Sequence, residues 1–182
     1  WYALFGVNGF RSKSSARPAD FNFEEHTQLR GSTEDNNNQL YWGGRLALAQ
    51  GPVAWGASYL RGKHDQDGEF LYEAWGIDAS AYVRGIQLRS EYLQRDTEVF
   101  DDEGRTDFQK KGFYAQVEAP AGRHLAVVGR FDGLLREGPS LGTRNDETSG
   151  IIRWTFGVNV MPTLDYAIRF HFEHWRFTDF DN

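Results

Sequence analysis

Five arginines, Arg45, Arg89, Arg130, Arg153 and Arg169, lie in segments whose residues alternate polar and apolar. Acids fall into the same polar phase: Asp78, Glu91, Glu118, Asp132, Asp165 and Glu173. Successive side chains of an extended strand point to opposite faces, so each of these residues shares its face with those two positions away. The chemistry open to such a set is electrostatic. Opposite charges on neighbouring strands can form a ladder, or the charged face can line a water-filled passage. Rings of basic side chains select anions in pores, but six acids against five arginines favour mutual neutralisation over a basic pore. A local arginine cluster would still set the field at the narrowest point.

Other chemistry is poorly supported. His171 and His174 flank Glu173, yet positions three apart on a strand face opposite ways, and the helical zinc-protease spacing is absent. The acidic runs Asp65–Glu69 and Asp101–Glu103 lack the ligand spacing of a calcium loop, and Asp67-Gly68 reads more simply as a turn. The one Gly-x-Ser-x-Gly match, Gly138–Gly142, falls in a polar connection and not between a strand and a helix, so it makes no nucleophile elbow, and no Ser/His/Asp set can be assembled. With no cysteine there is no disulfide framework and no thiolate metal site. The expectation is a protein without catalytic residues, metal or other cofactor; a barrel enzyme is the most distant reading.

The elements that must position the charges are strands. Alternation predicts nine of them, near 1–10, 40–50, 53–63, 70–80, 84–96, 108–119, 124–135, 149–161 and 164–177. The clearest pair closes the chain: Ile152, Trp154, Phe156, Val158 and Val160 share one face, as do Tyr166, Ile168, Phe170 and Phe172 after the turn at Met161-Pro162-Thr163. One strand resists, because Glu73 falls in phase with Leu71, Trp75 and Ile77. Either it stands beyond the apolar band or a bulge shifts the phase.

Connections fall into two alternating classes. Gln50-Gly51-Pro52, Ala81-Tyr82-Val83, Pro120-Ala121-Gly122 and Pro162-Thr163 are short. Arg11–Gln39, His64–Glu69, Glu98–Asp107 and Arg136–Thr148 are polar and mostly longer. A meander with tight turns at one end and long loops at the other is the layout of outer-membrane barrels.

Mean hydropathy is -0.63, and no run of about eighteen apolar residues occurs, which excludes a helical membrane protein. A barrel escapes that test, since only alternate residues meet lipid. Aromatic residues at 15% and 20 glycines suit strands and tight turns, while the net charge of -6 argues against a nucleic-acid partner. Alternation does not by itself say which face is outside, and a soluble barrel or sandwich would put the apolar face inward. The ordering of arginines and acids, and the asymmetry of the connections, favour the membrane.

A resemblance points the same way. Gly85–Tyr92, Gly112–Gln116, Val128–Asp132, Thr155–Asn159 with Pro162, and Glu173–Phe180 are similar to the closing strands of the phosphate-selective porin O/P family. The likeness covers residues 84–180 and implies a many-stranded, trimeric porin. The family's lysine-rich anion ladder and basic constriction loop are not recognisable, so phosphate selectivity is not implied.

The expected fold is therefore all-β: an antiparallel up-and-down transmembrane barrel of outer-membrane porin type, with residues 1–182 one barrel domain. Bacterial barrels of this kind have even strand numbers, so nine strands suggest a portion of a larger barrel, unless Phe21–Leu29 adds another. The expected function is passive diffusion of small hydrophilic solutes or ions in the outer membrane of a Gram-negative bacterium. The partners would be lipid, lipopolysaccharide and the solutes, with a homotrimer implied by the resemblance. The pore-lining set is Arg45, Arg89, Glu91, Glu118, Arg130, Asp132, Arg153, Arg169 and Glu173. The lipid-facing set is Ile152, Trp154, Phe156, Val158, Tyr166, Ile168 and Phe170. Rival readings are a barrel acting as scaffold for a larger outer-membrane assembly, and a soluble ligand-binding barrel.

Overall fold

The computed structural model describes residues 1–8, 10–11, 30–31, 39–65, 67–101, 104–137, 149–161 and 166–179. Every regular element among them is a strand. These are β1 (Tyr2–Asn8), β2 (Phe10–Arg11), β3 (Arg30–Gly31), β4 (Leu40–Gln50), β5 (Val53–Lys63), β6 (Leu71–Val83), β7 (Ile86–Asp101), β8 (Gly104–Pro120), β9 (Leu125–Glu137), β10 (Ser149–Val160) and β11 (Ile168–Asp179). Nine of them make one antiparallel sheet in the order β1-β4-β5-β6-β7-β8-β9-β10-β11, while β2 and β3 pair separately. Each strand after β4 pairs with its predecessor in sequence, which is an up-and-down meander.

Short connections behave as their residues require, with one correction. Gly51, at φ 57°, and Pro52 join β4 to β5. The turn expected at Ala81-Tyr82-Val83 lies three residues later, at Arg84-Gly85. Both residues have positive φ, 52° and 86°, as in the mirror-image turns that match the twist of a hairpin. Ala81, Tyr82 and Val83 have no turn chemistry and stay paired with Leu88, Gln87 and Ile86. Ala121 through His124 join β8 to β9, with the Ala121 amide donating to the Leu125 carbonyl. The turn at Pro162-Thr163 and the side chain of Asp165 lie outside the described residues, as does the stretch Phe21–Leu29.

The other end differs more. The segment Glu98–Asp107, expected as a loop, is mostly strand: β7 and β8 pair without a break as far as Asp101↔Gly104. This hairpin extends well past its neighbours. The last strand begins at Ile168, so Tyr166 and Ala167 precede it unpaired. Residues 138–148 of the connection from Arg136 are outside the described residues. Glu73 needs no bulge, because β6 is in continuous register with both β5 and β7.

Burial separates the faces. Tyr41, Ala47, Tyr72, Thr97, Val99, Phe108, Ala126, Val128, Thr155 and Asn159 are buried, and register places all of them on one face. Side chains converge on the concave side of a curved sheet, so this is the inner face. On the outer face large apolar residues stay open, from Leu46 and Trp55 to Phe156 and Phe170.

Candidate functional site

The inner face carries the charges. One cross-strand row runs through Asp78, Glu91, Tyr114, Asp132, Arg153 and Trp175. Asp132 is its hub. Arg153 donates to both Asp132 oxygens from Nε at 3.1 Å, and its Nη2 lies 2.9 Å from Oδ1; Arg130 Nε reaches Oδ2 at 3.1 Å. Arg153 also reaches Glu173 at 3.3 Å and lies 4.8 Å from the centre of the Trp175 ring, whose Nε1 donates to Glu173. Arg130 lies over Tyr114 at 4.4 Å. Farther round the sheet Arg45 pairs with Asp78 at 2.6 Å. Asn159 joins Glu118 to His171 by hydrogen bonds through its amide. The charge-assisted bonds to Asp132 hold two guanidinium groups against the wall, each over an aromatic ring.

All nine residues expected to line a pore share this inner face. Arg89 and Arg169 differ from the others: both are exposed, and no ion pair holds either one among the described residues. Together with Arg130, Glu118 and Thr155 they border a cleft of about 390 Å³. The histidines separate by face, His171 inward on Asn159 and His174 outward opposite Trp154.

Sequence reading missed three cations. Arg95, Lys110 and Arg136 stand side by side in one inner row across β7, β8 and β9. Lys110 is half-buried between the two arginines. Arg95 lies 5.9 Å from the Tyr72 ring centre, and its Nε and Nη2 are buried with no hydrogen-bond partner among the described residues. Carrying the alternation on from Arg89 and Glu91 through Leu93 would have found Arg95. The predicted strands near 84–96 and 108–119 contain Arg95 and Lys110, and only Arg136 falls past a predicted strand end, at 135. Including this row, the inner phase of the strands sets eight cations (Arg45, Arg89, Arg95, Lys110, Arg130, Arg136, Arg153 and Arg169) against seven acids (Asp78, Glu91, Asp101, Glu118, Asp132, Glu173 and Asp179), although the chain is net -6.

The outer face carries a line of rings. Trp42, Tyr59, Trp75, Tyr92, Phe113, Phe131, Trp154 and Phe172 follow one another from β4 to β11, with ring centres 5.6 Å apart for Trp42–Tyr59, 5.2 Å for Trp75–Tyr92 and 4.3 Å for Phe131–Trp154. The line does not follow the register. Trp42 is opposite Arg61, Trp75 opposite Gln94, Phe113 opposite Gly133 and Trp154 opposite His174. In each case the next ring is two residues nearer the short connections, a drift of one residue per strand. At about 3.3 Å per residue and about 4.8 Å between strands, that slope is about 35°.

On the short-connection side of this line the outer face has no Asp, Glu, Lys or Arg among the described residues. From Trp75 to Val83 it runs for roughly 25 Å of strand. On the other side it turns polar, with Arg61, Glu73, Asp96, Lys111 and Glu137; Lys111 and Glu137 pair at 3.0 Å. Glu73 thus stands beyond the band. Ile152, Trp154, Phe156, Val158, Ile168 and Phe170 share this outer face, and Tyr166 is exposed just before β11.

Comparison with protein-family models, curated proteins and solved structures returned no match for this chain.

Proposed function

We propose that the chain forms the wall of an outer-membrane β-barrel, a porin-like channel for passive diffusion of small hydrophilic solutes in a Gram-negative bacterium. The observation that carries this reading is the oblique aromatic line with an uncharged band on one side of it. Barrel strands tilt by about 35–45° to the membrane normal, so a girdle at constant depth must cross the register obliquely, by about one residue per strand. Aromatic residues favour the interface, where a ring meets both acyl chains and water. A soluble sheet with a hydrated outer surface has no need of that slope. The charged inner face would line a hydrated passage, with Asp132 and Asp78 holding arginines against the wall. Solutes would cross by diffusion, with size and charge as the selecting properties and no chemical step.

Trp55 and Trp175 give a direct test. They are 48% and 46% exposed but lie on opposite faces. In variants of the full-length protein that keep Trp55 or Trp175 as the single tryptophan of the six, lipids brominated along the acyl chain should quench Trp55 and spare Trp175. Equal quenching, or none, would take the sheet out of the bilayer. Insertion without conductance in planar bilayers would leave a scaffold role in place of a channel.

A further inference from the structure

Apolar residues interrupt the inner face where a hydrated wall has no use for them. Leu93, Leu134, Ile151 and Phe177 occupy one cross-strand row over β7, β9, β10 and β11, with Gly112 between the leucines on β8. Leu93 is 46% exposed, Leu134 51% and Phe177 69%. The next inner row toward the long connections is Arg95, Lys110 and Arg136. Two residues of strand separate the rows, roughly 7 Å. An open apolar stripe directly beside a row of cations matches one kind of molecule: a ring or short chain as body, and an anionic head at one end.

We infer that this part of the inner face binds small amphipathic carboxylates, the head against Arg95 and Lys110 and the body on Leu93, Leu134 and Ile151. This deepens the channel reading and names a solute class for the same face. The charges favour a carboxylate over an amine: three cations stand side by side in the row, its one acidic position, Asp179 on β11, lies three strands from Lys110, and Glu91 and Asp132 lie on the far side of the stripe. The leucines favour a hydrophobic body over a purely hydrophilic anion, because covering them removes apolar surface from water.

Benzoate and acetate share the head and differ in the body, so they make the test. Line broadening of each anion by the detergent-solubilised full-length protein, corrected with empty micelles, should give benzoate an affinity about tenfold or more above acetate. Leu134→Ser should remove that preference while leaving acetate unchanged. Lys110→Gln should weaken both anions, and Lys110→Arg should restore them. Equal binding of the two anions, or benzoate binding indifferent to Leu134→Ser and Lys110→Gln, would overturn the inference. Chloride conductance measured separately reports on the channel: conductance without benzoate preference defeats only this proposal, and benzoate binding without conductance defeats only the channel.

Discussion

Asp132 shows how one side chain organises a wall. Its carboxylate accepts from both Arg130 and Arg153, and its side chain is only 17% exposed. Removing it leaves two guanidinium groups side by side, with part of their hydrogen bonding lost and their desolvation still to be met. Asp132→Ala should therefore cost about 1–3 kcal/mol. Glu173 reaches Arg153 at 3.3 Å but is 38% exposed, so water competes for its bond, and Glu173→Ala should cost under about 1 kcal/mol. Urea unfolding in micelles checks the order, and the reverse order would mean that the Asp132 ladder is not a stabilising unit. That arginines and acids share a face was readable from alternation alone. Which acid holds which arginine was not, because pairing depends on register, and a one-residue slip moves every side chain to the other face. Thr155 is a related case: its inner phase was legible, its burial was not, since burial depends on what Arg130 and Glu173 do on either side.

At the scale of elements, the strand interiors were legible and the ends were not. Strands β4 and β5 follow their alternation to the residue, bounded by Gly51-Pro52. The β7–β8 hairpin was read short because Glu98, Asp101 and Asp107 suggest a solvated loop, whereas Thr97, Val99 and Phe108 beside them are buried inner positions. The β5–β6 connection folds over the same region. Asp65 accepts the amides of Glu69 and Phe70 at 3.0 and 2.8 Å, and Gly68 takes φ 68°, so the acidic run is a stapled turn. His64 is buried there, and its Nε2–H donates to the Glu98 carbonyl at 2.8 Å, which fixes the proton on that nitrogen. Burial holds its pKa below the ordinary value, against opposing pulls from the Glu98 carbonyl and from Asp65 and Glu98, and with Arg95 adding to the lowering. A base whose folded pKa is lowered leaves the unfolded chain binding more protons, so stability is full above the ordinary histidine pKa of about 6.5 and falls as pH drops below it. Protection factors at Phe70 and Leu71, corrected for the intrinsic pH dependence of amide exchange, should therefore fall between pH 7 and about pH 5, and His64→Gln should flatten that dependence. An unchanged slope in the variant would remove His64 from the cause.

The oblique aromatic line belongs to the molecule as a whole. Sequence supplies the phase of each ring within its own strand, but the slope exists only once eight strands are placed in register. It also assigns direction. The uncharged outer band lies between the line and the short connections, so in the proposed orientation Ala121 sits at the periplasmic edge. Asp67, in the stapled turn beyond the polar rim, stands on the extracellular side. Both positions are exposed, and the chain has no cysteine to compete for label. A single cysteine at Asp67 should react with a membrane-impermeant thiol reagent on intact cells. One at Ala121 should stay unlabelled until the outer membrane is permeabilised. Exposure alone predicts equal labelling, so a difference between the sites must come from the bilayer. Labelling at Ala121 but not at Asp67 would invert the barrel, and equal labelling of both on intact cells would mean that no membrane separates the two ends of the sheet.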